Sequence, residues 1–331
     1  MFKPELFNSL KNYSTKTFVS DLIAGVIVGV VALPLAIAFA IASGVSPERG
    51  LFTAIIAGFC ISFFGGSKVQ IGGPTGAFAV IVYGVVNKFG YEGLVIATIM
   101  AGILLILLGA FKMGGLVKFI PYTIVTGFTA GIAVTILTGQ IGDFFGLTTG
   151  KMPGDFVGKI KVYIESFNTI NWYSFGIAAI SLIVIFLWPK INKKVPGSLI
   201  VIILATVVSL ILEHTLGWKT DTIGSRYGAI PSSLPAPTIP GINLELIKQL
   251  FPTAISIAVL AAIESLLSAV VADGMIGSKH DSNTELIAQG IANIASPIFG
   301  GIPATGAIAR TATNIKNGGK TPIAGIIHAV V

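Results

Sequence analysis

The sequence predicts an all-α polytopic membrane protein, and three observations predict this class. The 331 residues are 53% hydrophobic and only 11% charged, whereas soluble domains carry about 25% charged residues. The apolar residues form repeated continuous runs instead of alternating strands or amphipathic stripes. Several runs reach about 20 residues, the length that a helix needs to cross a bilayer core about 30 Å thick. These observations exclude a soluble globular domain.

The apolar runs follow one another along the whole chain. The first run follows a lysine-bearing lead and exceeds the apolar part of a signal peptide, about 7–15 residues, so we interpret it as a retained span. The last run begins at Pro322 and reaches the final residue, which predicts that the sequence is a piece of a longer protein. The other runs lie at 51–64, 74–86, 94–111, 120–141, 174–188, 198–212, 251–272, 286–299 and 304–315, after the first at 19–42.

Two connections between the runs are long. Residues 142–173 carry mixed charges. Residues 213–248 contain several prolines, whose fixed φ and missing N–H favour an extended path. We therefore predict a first repeat over 1–215, a proline-rich extracellular connection over 216–248 and a partial second repeat over 249–331. At the start of the run 286–299, the residues Ser282 and Glu285 have the spacing of a capping box.

An internal repeat indicates where the functional site lies. Phe-Gly-Gly at 64–66 precedes Pro-Thr-Gly-Ala at 74–77, and Phe-Gly-Gly at 299–301 precedes Pro-Ala-Thr-Gly-Ala at 303–307. Each motif opens a run too short to cross alone, as expected of a half-helix that begins inside the membrane after extended backbone. Short Gly- and Pro-interrupted segments at matching positions predict a transporter site near the midplane. The alternative is a coincidence in Gly- and Ala-rich membrane sequence.

The two predicted half-helices favour an anion. A helix start leaves N–H groups unpaired and carries about half a positive charge, so two facing starts form a site of backbone donors. Thr75 and Thr305 are candidates for additional hydroxyl donors. The small residues that allow close approach of a ligand to the backbone are Gly76, Ala77, Gly306 and Ala307.

Two ionisable residues lie inside predicted spans. A charge at the depth of Glu264 costs about 3 kcal/mol, so its carboxyl group must be protonated, paired or directed into an aqueous cavity. It is a candidate proton carrier, a candidate Na⁺ ligand together with Ser268 one helical turn on, or a structural hydrogen-bond partner. Arg310 places a fixed charge beside the anion or pairs with Glu264. We interpret Asp21, at the entry of the first span, as an interfacial cap.

The motifs of the second half resemble those of a known family. Lys-His-Asp-Ser-Asn at 279–283, Glu-Leu at 285–286, Gln-Gly at 289–290, Gly-Ile-Pro-Ala-Thr-Gly at 301–306 and Ala-Arg-Thr at 309–311 form a specific series. The series resembles the SulP family of anion transporters, the sulfate permeases. Pro34, with Asp21-Leu22 before it, is similar to the first segment of that family, and the resemblance extends along nearly the whole chain.

The resemblance implies a fourteen-segment fold of two inverted seven-segment repeats, commonly dimeric and followed by a cytoplasmic STAS domain. This chain would then stop near segment eleven. It also implies that the anion lies between the starts of segments three and ten, that segment one lines it, and that Glu264 with Ser268 serves cation coupling. The implied substrate-binding residues are Phe39, Thr75, Gly76, Ala77, Phe78, Gly306, Ala307, Ile308, Ala309 and Arg310.

The sequence departs from similar sodium-coupled bicarbonate transporters. Those have Asp at the position of Glu264, Thr at that of Ser268 and a hydroxyl residue at that of Ile308. A retained carboxylate with a lost oxygen ligand favours H⁺ as the coupling ion. We predict a proton-coupled secondary transporter of sulfate or a similar small oxyanion or carboxylate, which works by alternating access. The alternatives are a Na⁺-dependent bicarbonate transporter and an uncoupled anion channel or exchanger.

Other function classes have little support in the sequence. The three His residues have no metal-ligand spacing, Cys60 is the single cysteine, and no nucleophile–base pair is recognisable. We therefore predict no enzyme, no cofactor and no metal site apart from the Na⁺ alternative. The net charge of +7 is explained by an excess of Lys and Arg in the loops that face the cytoplasm if the N-terminus lies inside. The predicted setting is the plasma (inner) membrane, without nucleic acid.

Overall fold

The computed structural model describes residues 2–115, 122–150, 152–192, 197–218, 221–238, 241 and 244–331. Almost all regular structure in these ranges is helical. The α-helices are α1 Glu5–Ser9, α2 Thr15–Ala42, α3 Pro47–Phe64, α4 Ala79–Ala110, α5 Tyr122–Phe145, α6 Phe156–Glu165, α7 Trp172–Ile191, α8 Gly197–Leu216, α9 Ile223–Tyr227, α10 Leu244–Ile276, α11 Ser282–Ile298, α12 Ile308–Lys316 and α13 Pro322–Val330. Short 3₁₀-helices occupy Leu10–Asn12, Gly76–Phe78 and Phe167–Thr169, and two strands occupy Gly72–Gly73 (β1) and Thr305–Gly306 (β2).

Within the described ranges, six helical segments are long and apolar enough to cross a membrane, and they confirm the predicted all-α polytopic class. They are Thr15–Ala42, Pro47–Phe64, Gly76–Ala110, Trp172–Ile191, Gly197–Leu216 and Leu244–Ile276. Within the third of these, the backbone leaves the helical conformation at Gly90, which has φ 69°. Gly90 separates the predicted runs 74–86 and 94–111, and a glycine adopts this left-handed conformation without steric cost.

The chain forms two compact units. The first comprises Met1–Ile124 and Pro231–Val331, and it contains both predicted half-helices. The second comprises Val125–Ile230. In the second unit, Arg226 pairs with Asp143 and Asp221 at N–O distances of 2.8 Å. The predicted repeat boundaries at 215 and 248 concern an internal symmetry and stay a prediction.

Glycines allow α4 and α11 of the first unit to pack closely. A Cβ atom on Gly102 would lie 2.7 Å from the carbonyl oxygen of Gly290, and one on Gly290 would lie 2.5 Å from that of Gly102. Only hydrogen fits at both positions. Small residues of this kind allow helix backbones to meet in a membrane, where van der Waals contact drives helix association.

The predicted capping box at Ser282 and Glu285 is wrong. Asp281 caps α11, because its Oδ1 accepts hydrogen bonds of 2.9 Å from the N–H groups of Asn283 and Thr284. With Asp281 as the N-cap, Glu285 is the fourth residue of the helix, one position beyond the place that a capping box requires. It is fully buried, and its Oε2 accepts a 2.9 Å hydrogen bond from the N–H of Gly66.

Asp21 holds the segment that leads into α13 and does not cap its own helix, whose N-cap is Ser14. It lies inside α2, is fully buried, and accepts hydrogen bonds from the Thr321 hydroxyl at 2.6 Å and the Lys320 N–H at 2.7 Å. These two residues immediately precede α13. Its carboxylate therefore joins the first span to the segment before α13, and its interfacial position stays a prediction.

Candidate functional site

The two predicted half-helices begin side by side. Strands β1 and β2 pair antiparallel, with Gly72 opposite Gly306 and Gly73 opposite Thr305. The N–H of Ala307 adds a 2.8 Å hydrogen bond to the Ile71 carbonyl. Each strand leads within a few residues into a helix, at Gly76 on one side and at Ile308 on the other. The short ladder therefore holds the two helix starts next to each other.

Neither helix start carries a side-chain cap within the described residues. The residues before the helices, Thr75 and Ala307, have extended backbone. The first N–H groups of a helix have no intrahelical partner, and together with the helix dipole they favour an anion. Two uncapped helix starts therefore lie next to each other, which is the arrangement expected of an anion site built from backbone donors.

Polar side chains of neighbouring helices satisfy the extended backbone before α12. Asn293 of α11 brackets Ala304: its Oδ1 accepts from the Ala304 N–H at 2.9 Å, and its Nδ2 donates to the Ala304 carbonyl at 2.8 Å. Thr53 of α3 accepts from the Ile302 N–H at 2.7 Å. Non-helical backbone is tolerated at membrane depth only where protein groups replace the missing partners.

The extended backbone before α4 is held mainly by side chains of α12. Asn314 Nδ2 donates to the Val69 carbonyl at 2.9 Å, and the Ile71 N–H donates to Thr311 Oγ1 at 3.0 Å. Arg310 donates from Nη2 to the Pro74 carbonyl. One half-helix therefore supports the backbone that leads into the other, which makes the two starts a single structural unit.

Glu264 lies on α10 beside the first helix start. The Thr75 hydroxyl donates a 2.8 Å hydrogen bond to Glu264 Oε2. Nearly one turn earlier on α10, the Ala261 carbonyl accepts a 3.0 Å hydrogen bond from the Thr305 hydroxyl. Both hydroxyl protons are therefore donated to α10 in this structure, and the role of the two hydroxyls as anion donors stays a prediction.

Arg310 is buried close to the same junction. Its side chain is 3% exposed, and Nη1 has no hydrogen-bond partner among the described residues. Within the described residues no ion pair joins Arg310 to Glu264, although the two charges interact electrostatically. Of the two predicted arrangements, the pair is therefore not formed, and the guanidinium lies against the Pro74 carbonyl.

Comparison with known proteins decides the family. Residues 18–331 match the model of the sulfate permease family. This chain belongs to the sulfate permease family. Among curated relatives, the putative sulfate transporter YvdB of Bacillus subtilis is 52% identical over 97% of this chain and 60% of its own length. The bicarbonate transporter BicA of Synechocystis is 34% identical over 94% of this chain and 55% of its own length.

Solved structures confirm the fold of this sulfate permease family chain. The transmembrane domain of a cyanobacterium bicarbonate transporter BicA superposes with a TM-score of 0.83 at 32% identity, covering 96% of this chain and 81% of that one. SLC26A9 superposes with a TM-score of 0.82 at 21% identity and shows the fold alone. The inverted-repeat transporter fold is thereby confirmed. The chain spans about 60% or less of the length of the curated relatives described above, which are named as transporters and not as enzymes.

The structure brings most of the predicted site residues of this sulfate permease family member together. Residues 75–78 form the first helix start and residues 306–310 the second. Phe78 is fully buried, whereas Ile308 and Ala309 are exposed. Phe39 is partly exposed on α2, a helix that packs against α12. Ser268 is buried, and its hydroxyl lies 3.3 Å from that of Thr311.

Sequence reasoning missed the residues that support the site. Gln70, Ser265, Asn293 and Thr311 are fully buried or nearly so, and all bond the extended backbone or one another. The available signal was their polarity within or beside apolar runs, since buried polar groups in a membrane need partners. Nothing in the local sequence identifies which partner each group takes.

Proposed function

We propose that the protein is a proton-coupled secondary transporter that moves sulfate or a similar small oxyanion or carboxylate by alternating access. The observation that carries the proposal is the pair of uncapped helix starts held together by β1 and β2. Backbone N–H groups bind an oxyanion from several directions without a dedicated charged side chain. The names of the relatives, which include sulfate and bicarbonate transporters, support this substrate class.

In the proposed site, the anion accepts hydrogen bonds from the first N–H groups of both helices. Gly76 allows it to approach the backbone of the first start, and the guanidinium of Arg310 stabilises its charge from the side. The proposed lining residues are those predicted from the sequence, namely Phe39, Thr75, Gly76, Ala77, Phe78, Gly306, Ala307, Ile308, Ala309 and Arg310.

Proton coupling is assigned to Glu264. As a carboxylate it accepts the hydroxyl proton of Thr75, which stands at the first helix start. Once protonated it becomes a donor, and the hydroxyl of Thr75 is then free to turn towards the anion. Loading of a proton would in this way favour loading of the anion, which is the linkage that symport requires.

The alternative is a Na⁺-dependent bicarbonate carrier, and the 34% identity to BicA favours it. In this chain the hydroxyl of Ser268, the second candidate Na⁺ ligand, lies within hydrogen-bond distance of the Thr311 hydroxyl of α12, at 3.3 Å. The engagement of Ser268 with Thr311 supports H⁺ over Na⁺ as the coupling ion.

The deciding experiment is uptake by the full-length protein in proteoliposomes. Labelled sulfate and bicarbonate are supplied under a pH gradient alone and under a Na⁺ gradient alone. We expect sulfate uptake that follows the pH gradient and is unchanged by Na⁺. Uptake of bicarbonate that requires Na⁺ would replace the proposal by the alternative, and fluxes without either coupling would indicate a channel or exchanger.

The cellular setting also belongs to the proposal. We place the protein in the plasma (inner) membrane with a cytoplasmic N-terminus, as a homodimer whose full form continues into further segments and a STAS domain. The excess of Lys and Arg in the predicted cytoplasmic loops supports this orientation. Accessibility of a tag at the N-terminus to protease in right-side-out vesicles tests it.

A further inference from the structure

Gln70 is a buried polar residue between α3 and β1 that the anion site described above does not use. Its side chain is 3% exposed. Nε2 donates to the hydroxyl of Ser265 at 2.8 Å and to the Ser265 carbonyl at 3.2 Å. Oε1 has no hydrogen-bond partner among the described residues. The amide is therefore anchored by one end to α10.

Gly306 lies directly against this amide. A Cβ atom on Gly306 would be 1.6 Å from Nε2 of Gln70 and 2.7 Å from its Cδ. Gly306 pairs with Gly72 across the ladder and precedes the start of α12 by two residues. Gln70 thus fills the space next to β2 and limits how closely β2 approaches α10.

The anchor of Gln70 is itself firmly held. The Ser265 hydroxyl donates to Oε1 of Glu285 at 3.2 Å, and the N–H of Gly66 donates to Oε2 at 2.9 Å. Ser265 and Glu285 are both fully buried. A connected, buried set of hydrogen bonds resists displacement, because each broken bond leaves an unpaired polar group.

Adjacent residues of α10 hold the two sides of the site. Glu264 accepts from Thr75 at the first helix start, and Ser265 holds Gln70 against β2, which leads to the second start. The length of the Gln70 side chain therefore affects the distance between the two helix starts. An anion that bridges both sets of N–H groups is selected by that distance.

We propose that Gln70 is a positioning residue that sets the separation of the two helix starts and thereby the size of anion that the site accepts. The inference rests on the proposed transport of an anion and adds to it a determinant of selectivity. Gln70 acts through the backbone of β2 and does not itself contact the anion.

Variants that remove side-chain volume at Gln70 and add it at Gly306 test the contact between these two residues. The full-length protein is prepared as Gly306→Ala, as Gln70→Ala and as the double variant, and the Tm and the initial rate of sulfate uptake are measured. We expect Gly306→Ala to lower both quantities, and the double variant to recover uptake by about threefold or more, as contacting residues do. The matched control is Gly102→Ala, whose new Cβ would meet the Gly290 carbonyl at 2.7 Å and which Gln70→Ala should not rescue.

Gln70→Asn tests selectivity, because it keeps the amide and shortens the side chain by one methylene. We expect the ratio of the KM values for sulfate and bicarbonate to change by about threefold or more. A lowered Tm with an unchanged ratio would make Gln70 a purely structural residue and overturn the inference. A double variant no better than Gly306→Ala would overturn it as well.

Failure of the proposed function gives a different result. If the unmodified protein takes up no anion of the panel, the proposed function fails. The Tm values of Gly306→Ala, Gln70→Ala and their double variant still report whether Gln70 and Gly306 compete for space. Selectivity is then read from the rise in Tm that sulfate and bicarbonate each cause in the purified protein. If sulfate and bicarbonate each raise the Tm of Gln70→Asn by the same amount as that of the unmodified protein, the inference is refuted.

Discussion

The hydroxyl of Thr75 donates a 2.8 Å hydrogen bond to the carboxylate of Glu264, although the two residues are 189 positions apart in the sequence. The bond joins the first helix start to the α10 span of the second half. It places an ionisable group one hydrogen bond away from the backbone donors of the proposed anion site. In the proposed mechanism, a proton on Glu264 and an anion at the helix starts affect one another through the Thr75 side chain.

Glu264→Gln should abolish uptake driven by a pH gradient. The amide keeps the size of the side chain and still accepts from Thr75, but it carries no titratable proton. We expect pH-driven accumulation of sulfate in proteoliposomes to fall by at least about tenfold, the loss expected when one proton-transfer group is removed. The control is Glu245→Gln, the same change at an exposed position of α10. Full pH-driven accumulation by Glu264→Gln would remove Glu264 from coupling.

Arg310→Ala should weaken anion binding. The substitution removes a fixed positive charge and the donor to the Pro74 carbonyl at the site. A charge-assisted interaction contributes about 1.5–3 kcal/mol, so Kd for sulfate measured by calorimetry should rise by about tenfold or more. Arg310→Lys keeps the charge, and its Kd for sulfate should lie between those of the unmodified protein and Arg310→Ala. Arg226→Ala in the other unit is the control, and an unchanged Kd for Arg310→Ala would exclude Arg310 from the site.

Asn293→Ala should destabilise the first unit. The substitution leaves the N–H and the carbonyl of Ala304 buried without the side-chain partners that bracket them. Buried polar groups left unpaired cost about 1–3 kcal/mol each, so the Tm in detergent should fall clearly. Asn317→Ala is the control, because the Asn317 side chain donates a 2.8 Å hydrogen bond within its own helix, to the Thr313 carbonyl. Equal Tm values for the two variants would contradict the proposed support of the extended backbone.

Tyr13 should make stability sensitive to alkaline pH. Burial, followed by the nearby charge of Asp21, raises the pKa of Tyr13 from 10 to about 12 in the folded protein. Between these values the unfolded chain loses the phenol proton while the folded chain retains it. Stability therefore falls as the pH rises from about 10 to about 12. In Tyr13→Phe the decline of Tm over this window should be smaller than in the unmodified protein; an identical decline would show that Tyr13 does not contribute to it.

Several details were not predictable, and each failure has the same origin. The sequence places Glu285 at the spacing of a capping box, yet Asp281 caps α11 and Glu285 bonds Gly66. The opposite charges of Arg310 and Glu264 would allow an ion pair, yet Arg310 donates a hydrogen bond to the Pro74 carbonyl. In each case a local pattern allowed two partners, and a group more than two hundred residues away decided between them.

The sequence by itself determined the membrane class, the positions of the two short helices and the family. These properties follow from apolar run length, from Gly and Pro before a run, and from a specific series of motifs. Only the tertiary structure decided the register of Gly72 against Gly306 and the place of Gln70 beside it. Run length and turn residues act on the local backbone, whereas this register depends on how two distant segments share buried hydrogen bonds.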